Sequence, residues 1–88
     1  MLLLGRLIIG GIIAAVIASA IVIYINGRIN RSSIKSALES KNVKGAIIKQ
    51  IDSCSNVVTL EDLESDQEYE IHGDDVDISL NTGEVIYV

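Results

Sequence analysis

From Leu7 to Ile25 the chain runs for nineteen residues, LIIGGIIAAVIASAIVIYI, without a charged side chain. As a helix, a run of that length would reach about 28 Å at 1.5 Å per residue, close to the hydrocarbon thickness of a bilayer. Arg6 stands at the end of the run, where a long cationic side chain can snorkel to the interface, so Met1–Leu4 extend the apolar surface. Tyr24 stands at the other end, at the level that suits an amphipathic ring. The rest of an 88-residue chain is too short to surround such a helix on all sides, so the run predicts a single transmembrane anchor over residues 1–26. A cleavable signal peptide is the rival, on the small-x-small pattern Ala18-Ser19-Ala20. Cleavage there would leave a new N-terminus of Ile-Val-Ile-Tyr-Ile, which continues the same run.

Flanking charge sets the expected orientation. Arg6 precedes the run, whereas Arg28, Arg31 and Lys35 come closely after it, with Lys41 and Lys44 beyond. Counting Lys and Arg near the span places the N-terminus outside and the C-terminal part in the cytoplasm. A lone Cys54 fits a reducing compartment.

Charge also divides the rest of the chain. Residues 26–44 carry five basic side chains against Glu39, while residues 45–88 carry eleven acidic side chains against Lys49. The first block, a basic linker over 27–43, is expected to lie at anionic lipid headgroups, with an acidic domain over 44–88 held off the surface. Nucleic acid is excluded as a partner, because phosphate binding needs clustered Lys and Arg and the acidic block has one such residue. One Cys and one His allow neither an internal disulfide nor a four-ligand zinc site, and no cofactor is implied.

Within the linker, Ser32-Ser33 can cap a short helix running to about Lys41, with Ile34, Ala37 and Leu38 on one face. Beyond Gly45 the period becomes that of strands: 46–52, 57–63, 67–72, 76–80 and 84–88, separated by polar turns. Val58 and Leu60, Tyr69 and Ile71, and Val76, Ile78 and Leu80 are the expected inward residues. The fold class read from this pattern is a transmembrane helix, a short linker helix and a small antiparallel all-β domain, either a five-stranded meander or an SH3- or OB-like barrel. Closure into a barrel would cover both faces of Val85-Ile86-Tyr87-Val88 and remove exposed edges. Some 45 residues is near the lower limit for folding alone, so the Ile34/Leu38 helix or a partner is expected to stabilise the domain.

Three groups of residues are candidates for function. Gly10, Ala14 and Ala18 form one row of small side chains and Gly11, Ala15 and Ser19 the row beside it, a strip where another helix could approach closely. Asp74, Asp75 and Asp77 could offer oxygen ligands to a divalent cation, although the EF-hand pattern fails, with Leu80 and Ile86 in the places of its Gly and Glu. A solvated acidic turn is the plainer account. His72 and Cys54 are suited to acid–base or nucleophilic work, but neither lies in a nucleophile motif. His72 next to Glu70 and Asp74 could form a pH-sensitive spot. The sequence therefore predicts a non-catalytic accessory or structural subunit. It would associate with itself or another membrane protein through the small-residue strip and offer its acidic domain for protein contact. An extracytoplasmic binding module and a cation- or pH-responsive regulator are the alternatives.

Overall fold

The end of the apolar run is a β-strand. The computed structural model describes residues 20–88, and in it Ile21–Tyr24 form β1, hydrogen-bonded within a sheet. The remaining elements are β2 (Arg28–Ile29), α1 (Arg31–Ser40), β3 (Gly45–Asp52), β4 (Val57–Asp62), β5 (Glu68–His72), β6 (Asp75–Val76) and β7 (Val85–Tyr87). Among the described residues no helix is long and apolar enough to cross a membrane, and the one helix has ten residues.

This corrects the expected anchor helix through Ile25. Length and apolarity alone do not separate a span from a buried strand. Ile-Val-Ile-Tyr-Ile suits a strand as well as a span, because β-branched and aromatic side chains pack well on a pleated surface, and its pairing with β5 decides for the strand. The rest of the expected span, residues 1–19, lies outside the described residues.

The main sheet has the order β1-β5-β4-β3-β7. Strands β3, β4 and β5 form the antiparallel meander that their alternation predicts, and β7 returns antiparallel beside β3. The correction here is twofold. The sheet is mixed, because β1 runs parallel to β5, with Ile21 opposite Tyr69 and Tyr24 opposite His72. It is also open, with β1 and β7 at opposite ends of the strand order.

The parallel pairing continues past β1. The Ile25 N–H donates to the His72 carbonyl at 2.8 Å, the Asp74 N–H to the Gly27 carbonyl at 2.9 Å, and the Asp77 N–H to the Ile29 carbonyl at 2.9 Å. Between them, β2 pairs parallel with β6, Arg28 opposite Asp75 and Ile29 opposite Val76. Residues 21–29 are thus laced along residues 69–77, with Gly27 at φ +98° making the bend that a residue with a Cβ would resist.

A register shift between Ile48 and Gln50 explains the AIIKQID sequence of β3. Ala46 and Ile48 point into the core, Lys49 and Gln50 are both exposed across the irregularity, and Ile51 packs against the core again. The predicted strand 76–80 is shortened to Asp75–Val76. Asp77 turns the chain by accepting the Ser79 N–H at 2.9 Å on its side chain and the Leu80 N–H at 3.2 Å on its carbonyl. Ile78, expected inward, is fully exposed at 100 %, while Val76 and Leu80 are buried.

Helix α1 is capped by Asn30, not by Ser32-Ser33. The Asn30 side chain accepts the Ser33 N–H at 2.8 Å and the Ser33 hydroxyl accepts the Asn30 N–H at 2.8 Å, a reciprocal box. At the other end Asn42 takes φ 59°, and the Asn42 and Val43 N–H groups donate back to the carbonyls of Glu39 and Leu38. The helix buries Ile34, Ala37 and Leu38, the face read from its spacing. These meet Ile29, Val43, Ala46, Ile48, Val58, Leu60, Tyr69, Ile71, Val76, Leu80 and Ile86 in one core.

Candidate interaction surface

Two places on the sheet leave large apolar side chains in solvent. At one end is β1. Ile23 and Ile25 pack against the core, so Val22 and Tyr24 stand on the opposite, outer face, 42 % and 78 % exposed. The Tyr24 ring lies beside the His72 ring, with centroids 5.1 Å apart and planes tilted by 46°. His72 Nε2 is 3.2 Å from Glu70 Oε1, and Glu70 lies opposite Val22 in the ladder. The same outer face therefore carries Val22, Tyr24, Glu70 and His72. Beyond Tyr24 an open groove of about 380 Å³ is lined by Tyr24, Ile25, Asn26, Ser55, His72, Gly73 and Asp74.

At the other end is β7. Ile86 is buried, but Val85, Tyr87 and Val88 are exposed, Tyr87 by 70 %. Tyr87 and Leu63 converge over Gly45, where a Cβ would come within 3.0 Å of Tyr87 Cδ1 and 3.2 Å of Leu63 Cδ1. The expected covering of both faces of 85–88 is thus corrected: an open sheet covers one, and the glycine gives Tyr87 its bed.

Two of the five basic side chains of residues 27–44 pair with carboxylates of the β-domain. Arg28 Nε binds Asp75 Oδ2 at 3.1 Å. Arg31 grips Glu84 with Nε and Nη2, and donates to the Ser79 hydroxyl and carbonyl, each at 2.9 Å. The Arg31 guanidinium holds the Glu84 carboxyl below the ordinary carboxylate range. Asp77 is also lowered, by its bonds to Ser79 and by the nearby Arg31 and Arg28 charges. Lys35, Lys41 and Lys44 remain exposed on α1 and its exit.

The acidic candidates do not converge. Asp74 Oδ2 accepts the Gly27 N–H at 2.9 Å, Asp75 faces Arg28, and Asp77 caps its own turn. Among the described residues no group of three or more His, Cys, Asp or Glu is placed to hold a metal ion. Cys54 is exposed in the β3–β4 turn, where Asp52 Oδ1 accepts its N–H at 3.1 Å. His72 takes Glu70 and Tyr24 as neighbours. The strip Gly10, Gly11, Ala14, Ala15, Ala18 and Ser19 lies outside the described residues. The β1 edge escaped the sequence reading because its residues were assigned to a helix. The β-branched content of 21–25 was the signal that could have found it.

No family model matches the chain, and neither a curated protein nor a solved structure matches it.

Proposed function

We propose that this chain is a non-catalytic accessory subunit whose small acidic β-domain binds another protein through its sheet. The observation that supports the reading best is the placement of Tyr24 and Tyr87. Both rings stand largely in solvent, on the two strands at the ends of the sheet order, and each has apolar company: Val22 for one, Leu63 and Val85 for the other. Exposed tyrosines with apolar neighbours are typical anchors of protein interfaces, combining large contact area with a hydroxyl that can be satisfied by a partner or by water. The grooves on the surface are shallow and open, which suits contact with a macromolecule better than enclosure of a small substrate.

The test is to isolate the 88-residue chain from its native cell under mild conditions and determine what accompanies it and in what ratio. A protein partner at fixed stoichiometry, weakened by Tyr24→Ser or Tyr87→Ser, is the expected result. A chain that is isolated alone, and whose tyrosine variants behave as the parent does, overturns the reading.

A further inference from the structure

We propose that β1 is a docking edge for an extended segment of a partner protein, one with apolar residues alternating with Lys or Arg, which adds to the sheet as a further strand. The proposal rests on the reading of this domain as a protein-contact module and names where and what it binds. The edge comes first. Ile25 donates to His72 across the parallel ladder, which fixes the alternation: residues 21, 23 and 25 direct their N–H and C=O groups toward β5. Val22 and Tyr24 therefore direct theirs away from it. Among the described residues nothing pairs with that side, since β1 ends the strand order. A free row of backbone donors and acceptors on a strand without Pro, Lys or Glu is a template for strand addition.

Side chains then select the occupant. A strand added beyond β1 would set one row of side chains beside Ile21, Ile23 and Ile25 and the other beside Val22 and Tyr24. The first row lies against apolar neighbours and calls for apolar residues. The second lies on the face that carries Glu68 and Glu70 on β5, together with His72, and it leads to the groove that Asp74 lines. Nearby cations are already paired, Arg28 with Asp75 and Lys49 with Glu61, the residue opposite Glu68 in the ladder. Long basic side chains can cross Val22 to reach the glutamates, and the exposed Tyr24 ring offers a cation a face to sit on. A second copy paired through β1 would offer only Ile21–Tyr24, which holds no Lys or Arg to meet these glutamates.

The experiment uses the 88-residue chain and two labelled ten-residue peptides, one alternating Lys with Val and one alternating Glu with Val. The Lys peptide is expected to bind saturably and more weakly as salt rises, and the Glu peptide not to bind. Hydrogen exchange of the Val22 and Tyr24 amides is expected to slow by about tenfold or more when the Lys peptide is bound. Val22→Pro removes an outward N–H while leaving the inward bonds of β1, and is expected to weaken binding about tenfold. Glu70→Gln is expected to weaken it about threefold. Unchanged exchange at Val22 and Tyr24 overturns the proposal even if the proline variant fails to fold. Equal binding of the two peptides overturns the basic occupant. Protection that rises with protein concentration alone identifies a second copy instead and overturns it as well. A native partner whose binding survives Val22→Pro overturns this docking edge but leaves the protein-contact reading standing. Failure of both peptide and native partner overturns the two together.

Discussion

Gly73 lies so close to Ile29 that a Cβ on residue 73 would come within 2.7 Å of Ile29 Cγ1, and within 2.9 Å of the Gly27 carbonyl oxygen. Residue 73 is thus where β5 gives way to β6 against the bend at Gly27. Gly73→Ala is expected to destabilise the domain by about 1–3 kcal/mol, since a buried isoleucine and a backbone carbonyl must both shift. Gly83 gives the contrast. It has open space around it and φ +90°, so Gly83→Ala meets conformational strain alone, about 1–2 kcal/mol. Urea denaturation measures both, and amide exchange at Asp74 and Asp77, which donate to the Gly27 and Ile29 carbonyls, should quicken more in the Gly73 variant than in the Gly83 variant.

The reciprocal bonds of Asn30 and Ser33 define the start of α1. Asn30→Ala is expected to cost about 1 kcal/mol and Asn30→Asp very little, because a carboxylate oxygen can accept the same N–H. Ser32→Ala should be close to silent. Thermal unfolding of the three variants separates this cap from the serine cap read in the sequence.

The Arg31–Glu84 pair predicts an acid-side dependence. Glu84 titrates below its ordinary range in the folded chain, chiefly because it accepts from Arg31. A carboxyl with a depressed folded pKa contributes stability above its unfolded value, about 4.3, and that contribution is lost as pH falls through the folded value. Asp77 and Asp52, also lowered, act in the same direction. The urea midpoint should therefore rise from about pH 3 to about pH 6, and Glu84→Gln should flatten the rise. Since the pair is partly exposed, added salt should reduce the difference between parent and variant.

Ile78 and Leu80 separate the structure from a simple reading of alternation. Ile78→Ser is expected to change stability by no more than about 0.5 kcal/mol. Leu80→Ala should cost about 2–3 kcal/mol, because that side chain is 6 % exposed and joins the core. Equal losses at the two positions would restore a continuous strand over 76–80. Chemical denaturation is sufficient to decide.

The legible parts of this fold are those where one local signal dominates. Val58, Leu60, Tyr69 and Ile71 alternate and are buried, and Ile34, Ala37 and Leu38 recur at helical spacing and are buried. Where two signals competed, the sequence alone misled. At Val76–Leu80, the Asp77 side chain turns the backbone, and hydrophobic period says nothing about such a bond. At Ile21–Tyr24, apolar length outweighed β-branching, because the partner strand that makes the difference lies far along the chain. The candidate surface was hidden for the same reason. Tyr24 reads as an interfacial anchor in a helix and as an exposed anchor beside a free edge in a strand, and only pairing with β5 chooses between them.

That pairing also orders events in time. The Gly27 N–H and the Asp74 carboxylate that receives it are 47 residues apart, and β1 finds its neighbour β5 across nearly the same interval. During synthesis, β1 is made before every other described strand and must wait while α1 and the whole β3–β4–β5 hairpin series are produced. The meander can form from near-neighbour contacts, whereas the parallel pair carries the large closure entropy of a distant one. Ile21–Tyr24 consequently cannot be secured before β5 has been made. Through that interval this uncharged stretch of β-formers is open to premature pairing with any other nascent chain.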